Sequence, residues 1–125
     1  MKIATIIVRS LLGLAFVVFG LNIFLHFIPA PSPGPQGQAA AFAGALMDTG
    51  YMYVVGALQV AGGLLLLIGR FVPLGLTLLG PVIVNILCFH IFIDRAGLPV
   101  ALVVSALALF LLWRYRTHFA GLVKP

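Results

Sequence analysis

Four long runs of apolar residues dominate the chain, and short polar stretches separate them. The runs cover approximately residues 5–28, 51–69, 72–93 and 97–114. None has the charged face that an amphipathic helix turns toward water. Each is close to the roughly 20 residues that cross a hydrocarbon core about 30 Å thick. The pattern predicts four membrane-spanning helices within a single domain, residues 1–125, and a first run that is retained as a span and not removed as a signal peptide.

The polar stretches predict how the spans are connected. The longest reads PAPSPGPQGQ and begins at Pro29, where proline removes backbone donors and ends the first helix. The next segment, AAAFAGALMDTG, is rich in helix formers and places Phe42 and Leu46 on one face. We predict a short helix at the membrane interface, closed by Gly50. The fold class is therefore an all-α integral membrane four-helix bundle with a short interfacial helix in the outer loop.

Composition and charge agree with a membrane location. Hydrophobic residues make up 63% of the chain and charged residues 7%, with a mean hydropathy of +1.26, so a soluble globule would lack polar surface. The net charge is +5, but no basic stripe or stacking platform supports nucleic-acid binding. Six of the seven Lys and Arg residues flank the same ends of the spans, and only Arg95 lies at the other ends. This bias predicts that both termini are cytoplasmic, with the cations near lipid headgroups.

Small residues in each span are expected to hold the helices together, because lipid tails are as apolar as leucine and burial between helices gains little. The expected contact positions are Gly13, Gly20, Ala57, Ala61, Gly62, Gly63, Gly75, Ala101 and Ser105. Pro81 interrupts the hydrogen bonding of the third span.

Five polar side chains interrupt the apolar runs in their outer halves. They are Asn22, His26, Gln59, Asn85 and His90. At about 100° per residue, Asn22 and His26 share a helix face, whereas Asn85 and His90 lie about 140° apart. Phenylalanine rings occur beside them, at Phe19, Phe24, Phe27, Phe89 and Phe92. Aromatic walls with a few convergent polar groups suit a quinone headgroup or another flat lipid.

Two other interpretations of these residues stay open. The side-chain amides of Asn22, Gln59 and Asn85 can form hydrogen bonds between helices. The two histidines can cap loops or face lipid headgroups. His26 and His90 are also at similar depth on two spans, which is the arrangement of axial haem ligands. Haem is not expected, because no second histidine pair or haem motif accompanies them. No other metal site is predicted.

Several chemistries are excluded for this chain alone. Cys88 is the single cysteine, so there is no dithiol couple and no internal disulfide. The two carboxylates, Asp48 and Asp94, fall in outer loops, so the spans contain no acidic proton relay. We therefore predict no catalytic residues and no independent enzymatic activity.

Three segments carry a recognisable family pattern: RSLLGLAFVVFGLNIF from Arg9, GALQVAGGLLLLIGRFVPLG from Gly56 and GPVIVNILCFH from Gly80. With these segments the chain resembles the DoxX family of small bacterial membrane proteins. The resemblance implies a four-helix bundle in the bacterial inner membrane and an association with membrane redox systems; some relatives pass electrons to quinone. The family pattern usually has Lys and Glu where this chain has Ile23 and Gln59.

Two functions follow from these observations. The first is a small accessory subunit of a quinone-linked redox complex, which contributes helix packing and a quinone or lipid site. The alternative is a stand-alone quinone- or lipid-binding protein in a redox or stress pathway. The expected partners are membrane lipids and either a larger membrane complex or further copies of the chain.

Overall fold

The computed structural model describes residues 2–125, and all regular structure in this range is helical. The five α-helices are α1 (Lys2–Leu25), α2 (Gly37–Asp48), α3 (Tyr51–Ile68), α4 (Val72–Phe92) and α5 (Leu98–Arg114). Short 3-10 turns lie at Arg95–Gly97, Arg116–His118 and Ala120–Val123. Four helical segments are long and apolar enough to cross a membrane: α1, α3, α4 and Arg95–Arg114. The predicted all-α four-helix architecture is confirmed.

The ends of the helices follow local sequence. α1 ends at Leu25, three residues before the end of the predicted span, and His26 adopts a left-handed conformation with φ of 52°. The side chain of Asn22 accepts a hydrogen bond from the Ile28 backbone N–H at 2.8 Å, which satisfies a donor just beyond the helix. Pro29 then prevents continuation. The predicted short helix is present as α2, while its position at a membrane surface stays a prediction.

The four long helices form a closed ring of contacts. α1 packs mainly on α3, α3 on α4, α4 on α5, and α5 returns to α1. α2 packs on α3. We call the end where α1 and α4 begin and α3 and α5 end the basic end, and the opposite end the loop end. The order is that of an up-and-down bundle, which short connections favour.

The apolar core occupies the basic half of this bundle. Its buried members are Leu12, Phe16, Leu66, Val72, Leu76, Leu79, Val82, Ile83 and Leu111. The last buried residue of α1 is Gly20 and the last of α4 is Ile83, so close packing stops before these helices reach the loop end. α1 and α4 therefore pack less closely near the loop end than near the basic end.

Glycines set the closest helix contacts. A Cβ on Gly62 of α3 would lie 3.1 Å from the Gly75 carbonyl oxygen of α4, and a Cβ on Gly75 would lie 3.0 Å from that of Gly62. Backbones that approach this closely need glycine at the crossing. Ala57 and Ala61, which were also expected at contacts, are exposed on the outside of α3.

Candidate functional site

A cleft of about 810 Å³ opens at the loop end of the bundle. Its walls come from α1, α2, α3 and α4, and most of the lining side chains are apolar. The apolar lining consists of Ile23, Phe42, Ala43, Leu46, Met47, Met52, Val54, Val55, Leu58, Pro81, Val82, Ile86 and Phe89, with Tyr51 at the start of α3. Several of these are exposed, so the cleft communicates with the surroundings. Its volume is within the range of small-molecule sites.

All five polar residues singled out in the sequence line this one cleft. Asn85 and His90 both reach it although they lie about 140° apart on the helix, because α4 lines it with a face about 180° wide from Pro81 to His90. α4 is a continuous α-helix throughout this stretch. A regular α-helix therefore brings both Asn85 and His90 to the cleft.

The hydrogen bonds of the two asparagines define which of their amide groups remain available. The Asn22 Oδ1 atom accepts from the Ile28 N–H, which leaves the amide N–H groups of Asn22 as donors. The Asn85 Nδ2 atom donates to the Pro81 carbonyl at 2.8 Å, which leaves the amide oxygen of Asn85 as an acceptor. The cleft is therefore supplied with a donor from α1 and an acceptor from α4.

Gln59 is the most deeply placed polar residue of the cleft. Its side chain is only 6% exposed. Within residues 2–125 the amide makes no hydrogen bond, and neither of its polar atoms is sealed inside the protein. Because Gln59 lines the cleft, its donor and acceptor are open to an occupant of that space. Gln59 therefore does not form a hydrogen bond between helices within residues 2–125.

The histidines combine contact with the cleft and local contacts at helix ends. His26 follows α1 and has a left-handed backbone conformation. Its backbone N–H donates to the Asn22 carbonyl at 2.8 Å. The His90 Nδ1 atom lies 2.9 Å from the Asp94 carbonyl oxygen, so this nitrogen donates and the neutral ring keeps Nε2 as an acceptor. Gly97 packs directly against the ring of His90. Both histidines therefore stabilise the ends of helices as well as lining the cleft.

Aromatic contacts brace one wall of the cleft. The ring of Phe89 lies 5.2 Å from that of Phe42 on α2 and 5.0 Å from that of His90. These rings connect α2 to α4 across the opening. Of the rings predicted beside the polar residues, Phe89 lines the cleft, whereas Phe19, Phe24, Phe27 and Phe92 do not. Phe42 is a wall residue that was not predicted from the sequence, although its spacing to Leu46 indicates the face of α2 that docks.

No cluster of three or more His, Cys, Asp or Glu side chains suitable for a metal occurs among the described residues. Cys88 is exposed and unpaired. The cleft therefore offers neutral hydrogen-bonding groups and imidazoles within an apolar wall. This combination fits an uncharged amphiphile with polar groups at its head.

The DoxX family model matches residues 4–92, a range that includes all but the first two residues of α1, all of α2 to α4, and every wall of the loop-end cleft. The chain belongs to the DoxX family. The first three spans of this DoxX protein lie almost wholly within the matched range, and α5, which forms the fourth span, lies beyond it. A comparison with curated proteins and one with solved structures found no match. Ile23 and Gln59, the two positions singled out in the resemblance, both line the cleft.

Proposed function

We propose that this DoxX protein holds the headgroup of a quinone, or of a similarly flat neutral lipid, in the loop-end cleft, and that it does so as an accessory subunit of a membrane redox complex. The tail of such a lipid extends from the cleft into the bilayer. The proposed location is the bacterial inner membrane, with both termini in the cytoplasm. The excess of Lys and Arg residues at the basic end supports this orientation, because such residues are enriched on the cytoplasmic side of membrane proteins.

Gln59 is the observation that carries the proposal. Gln59 is only 6% exposed, its amide opens onto the cleft, and it has no hydrogen-bond partner within residues 2–125. A headgroup that filled the cleft without bonding to this amide would leave it unsatisfied at a cost of about 1–3 kcal/mol. A ligand carbonyl that accepts from the Gln59 amide N–H recovers part of this cost. The position is at the buried side of the cleft, where a headgroup would reach furthest into the bundle.

The remaining polar groups match both redox forms of a quinone. The carbonyl oxygens of the oxidised ring accept hydrogen bonds, which Asn22 and Gln59 can donate. The hydroxyl groups of the reduced ring donate, and the Asn85 oxygen and the His90 Nε2 atom accept. The apolar walls, including Phe42 and Phe89, pack against the ring.

The ionisable composition of the cleft favours a neutral headgroup. A Lys and a Glu at the positions of Ile23 and Gln59 would place charges beside the ligand, and neither position is charged in this chain. Because the chain has a single cysteine, dithiol reduction of a quinone requires a second protein. This requirement supports an accessory function within a larger complex over a stand-alone one.

Lipid analysis of purified protein tests the proposed ligand. The protein is extracted from its native membrane in mild detergent, and the quinone content per chain is measured by mass spectrometry. We expect close to one quinone per wild-type chain and a loss of about tenfold for Gln59→Leu, since an unpaired hydrogen bond at a buried site costs about 1.4 kcal/mol. Repeated extraction without any quinone or flat neutral lipid would refute the proposal.

A matched control separates the cleft from the rest of the bundle. Thr77→Val also removes one polar group from a span, but Thr77 is exposed and bonds to the Pro73 carbonyl of its own helix. This variant should retain the wild-type quinone content. The accessory function is tested in the same preparation: a larger partner should co-purify, whereas a lone chain that retains quinone supports the stand-alone alternative.

A further inference from the structure

A second cleft, of about 390 Å³, lies at the basic end of the bundle. It is separated from the loop-end cleft by the apolar core, so its function does not depend on the proposed quinone site. Its lining consists of Lys2, Thr5, Ile6, Arg9, Gly69, Arg114 and Tyr115. Three of these seven residues are cations, brought together from the start of α1 and the end of α5.

Arg114 is held in place across the gap between two helices. Its Nε atom donates to the Thr5 hydroxyl at 2.9 Å, which joins the end of α5 to the first turns of α1. Arg114 is half-buried, and Thr5 is buried. The terminal nitrogens of the guanidinium make no hydrogen bond to residues 2–125. A fixed guanidinium with free terminal donors is preorganised for an oxyanion, because its planar fork matches phosphate geometry.

Arg9 is seated against the backbone at the end of α3. Gly69 adopts a left-handed conformation with φ of 84°, and a Cβ at this position would overlap the Arg9 Nη1 atom. Arg9 is half-buried and makes no hydrogen bond to residues 2–125. Glycine at position 69 thus gives the helix its end and leaves the space that the guanidinium occupies.

No acidic side chain accompanies the cations of this cleft. The only two carboxylate side chains are Asp48 and Asp94, and both lie at the loop end. Lys2, Arg9 and Arg114 therefore carry three positive charges with no acidic side chain at this end. Partly buried cations are costly unless an anion accompanies them.

The side chains along α1 favour an amphiphile over a free anion as the occupant of this cleft. Arg9 follows Lys2 by seven residues, so the cationic wall extends about 10 Å along α1. Ile6 lies between them and contributes an apolar surface, and the neighbouring Ile3 and Ile7 are 75% and 52% exposed on the outside of the helix. A molecule that fills the cleft thus has an anionic head next to an apolar flank.

We propose that the basic-end cleft is a specific site for the phosphodiester headgroup of an anionic phospholipid. The phosphate contacts the guanidinium groups of Arg9 and Arg114, Lys2 closes the rim, and the acyl chains run along the exposed isoleucines of α1. The site differs from general attraction of cations to a negative membrane surface, because it depends on which arginines line the cleft.

Quenching of Trp113 fluorescence tests this site. Trp113 is the only tryptophan and directly precedes Arg114. The wild-type chain is reconstituted into phosphatidylcholine vesicles in which either brominated phosphatidylglycerol or brominated phosphatidylcholine is the quencher. We expect the anionic quencher to bind preferentially, and Arg9→Gln to lower that preference about fivefold, as expected for one cation near an anionic lipid. Arg70→Gln is the matched control.

The control removes one charge from the same end but not from the cleft, since Arg70 is exposed and contacts the ring of Phe71. It should keep the wild-type preference. Equal quenching of the wild-type chain by both lipids would overturn the proposal, whatever the variants do. If Arg9→Gln and Arg70→Gln lowered the preference for the anionic lipid equally, the preference would come from general surface charge and the proposed site would be refuted. Displacement of the brominated phosphatidylglycerol by millimolar inorganic phosphate would identify free phosphate, and not lipid, as the occupant.

Discussion

Gly13 of α1 and Gly63 of α3 meet backbone to backbone in the basic half of the bundle. A Cβ on Gly13 would lie 2.7 Å from the Gly63 carbonyl oxygen, and a Cβ on Gly63 would lie 2.8 Å from the Gly13 carbonyl oxygen. Each glycine therefore leaves room for the backbone of the other. This crossing brings together the two helices that share the most extensive contact in the protein.

Gly63→Ala is expected to lower the free energy of unfolding in detergent by about 2 kcal/mol, because the new methyl group forces two backbones apart in a packed region. Gly80→Ala is the matched control: a Cβ there meets no atom within 4 Å, and alanine favours a helix by about 1 kcal/mol over glycine. Unfolding followed by Trp113 fluorescence distinguishes them. Equal stability of Gly63→Ala and the wild type would contradict the close crossing.

Gln59→Leu should have opposite effects on stability and on ligand content. In ligand-free protein the change replaces a polar side chain that has no hydrogen-bond partner within residues 2–125 with an apolar one at a mostly buried position, so the free energy of unfolding should rise by about 1 kcal/mol. Thr77→Val, at an exposed position, should change it by less than about 0.5 kcal/mol. The measurement is unfolding in detergent after delipidation. A destabilised Gln59→Leu protein would mean that the amide is bonded in the native state.

The side chain of Asn22 is expected to protect the backbone just after α1. Asn22→Leu removes the acceptor of the Ile28 N–H, a bond of 2.8 Å. Losing about 1 kcal/mol of protection should speed hydrogen exchange at the Ile28 amide about fivefold. Asn85→Leu is the control, because the Asn85 side chain bonds to a carbonyl of its own helix. If Ile28 exchanges at the same rate in both variants, Asn22 does not stabilise this turn.

Hydropathy was sufficient to predict the helices, because a span must be both apolar and long enough to satisfy its backbone within lipid. Hydropathy was not sufficient to predict which small side chains lie at helix contacts. Gly56 is buried against Phe24 and Ile23, while the adjacent Ala57 is exposed. Neighbouring small residues point about 100° apart, so only the packed structure shows which of them lies at a contact.

The polar residues of the cleft were identifiable from the sequence because hydrogen-bonding side chains are rare in apolar spans. The sequence did not show that all five would line one cleft. If only a narrow stripe of α4 faced the ligand, Asn85 and His90 could not both lie on it. In the structure the cleft is lined by a broad face of α4 that includes both residues. The contribution of α2 was also hidden, since the docking of Phe42 on Phe89 depends on a long loop whose path the sequence leaves undetermined. Propensity predicts a short helix but not what it covers.

Gly97 is expected to hold the ring of His90 in its hydrogen bond. A Cβ on Gly97 would lie 2.6 Å from the His90 Nδ1 atom, so Gly97→Ala should displace the ring from the Asp94 carbonyl. Nitrogen-15 NMR of the imidazole should show the Nδ1–H tautomer in the wild type and a mixture of tautomers in the variant. Gly121→Ala, where a Cβ meets nothing within 4 Å, should leave the His90 signals unchanged. Identical spectra for all three proteins would place the ring elsewhere.

Labelling from the two sides of the membrane tests the predicted topology. Four crossings put both ends of the chain in one compartment, and the six cations at the basic end predict that this compartment is the cytoplasm. In a Cys88→Ser background, Lys2→Cys and Lys124→Cys should react only with a reagent that enters the cell, whereas Ser32→Cys should react from outside. Because the proline-rich segment after α1 must then face away from the cytoplasm, labelling of Ser32→Cys and Lys124→Cys from the same side would rule out four crossings. Labelling of all three positions with inverted sides would instead keep the bundle and reverse its orientation, which would place the anionic lipid site in the outer leaflet.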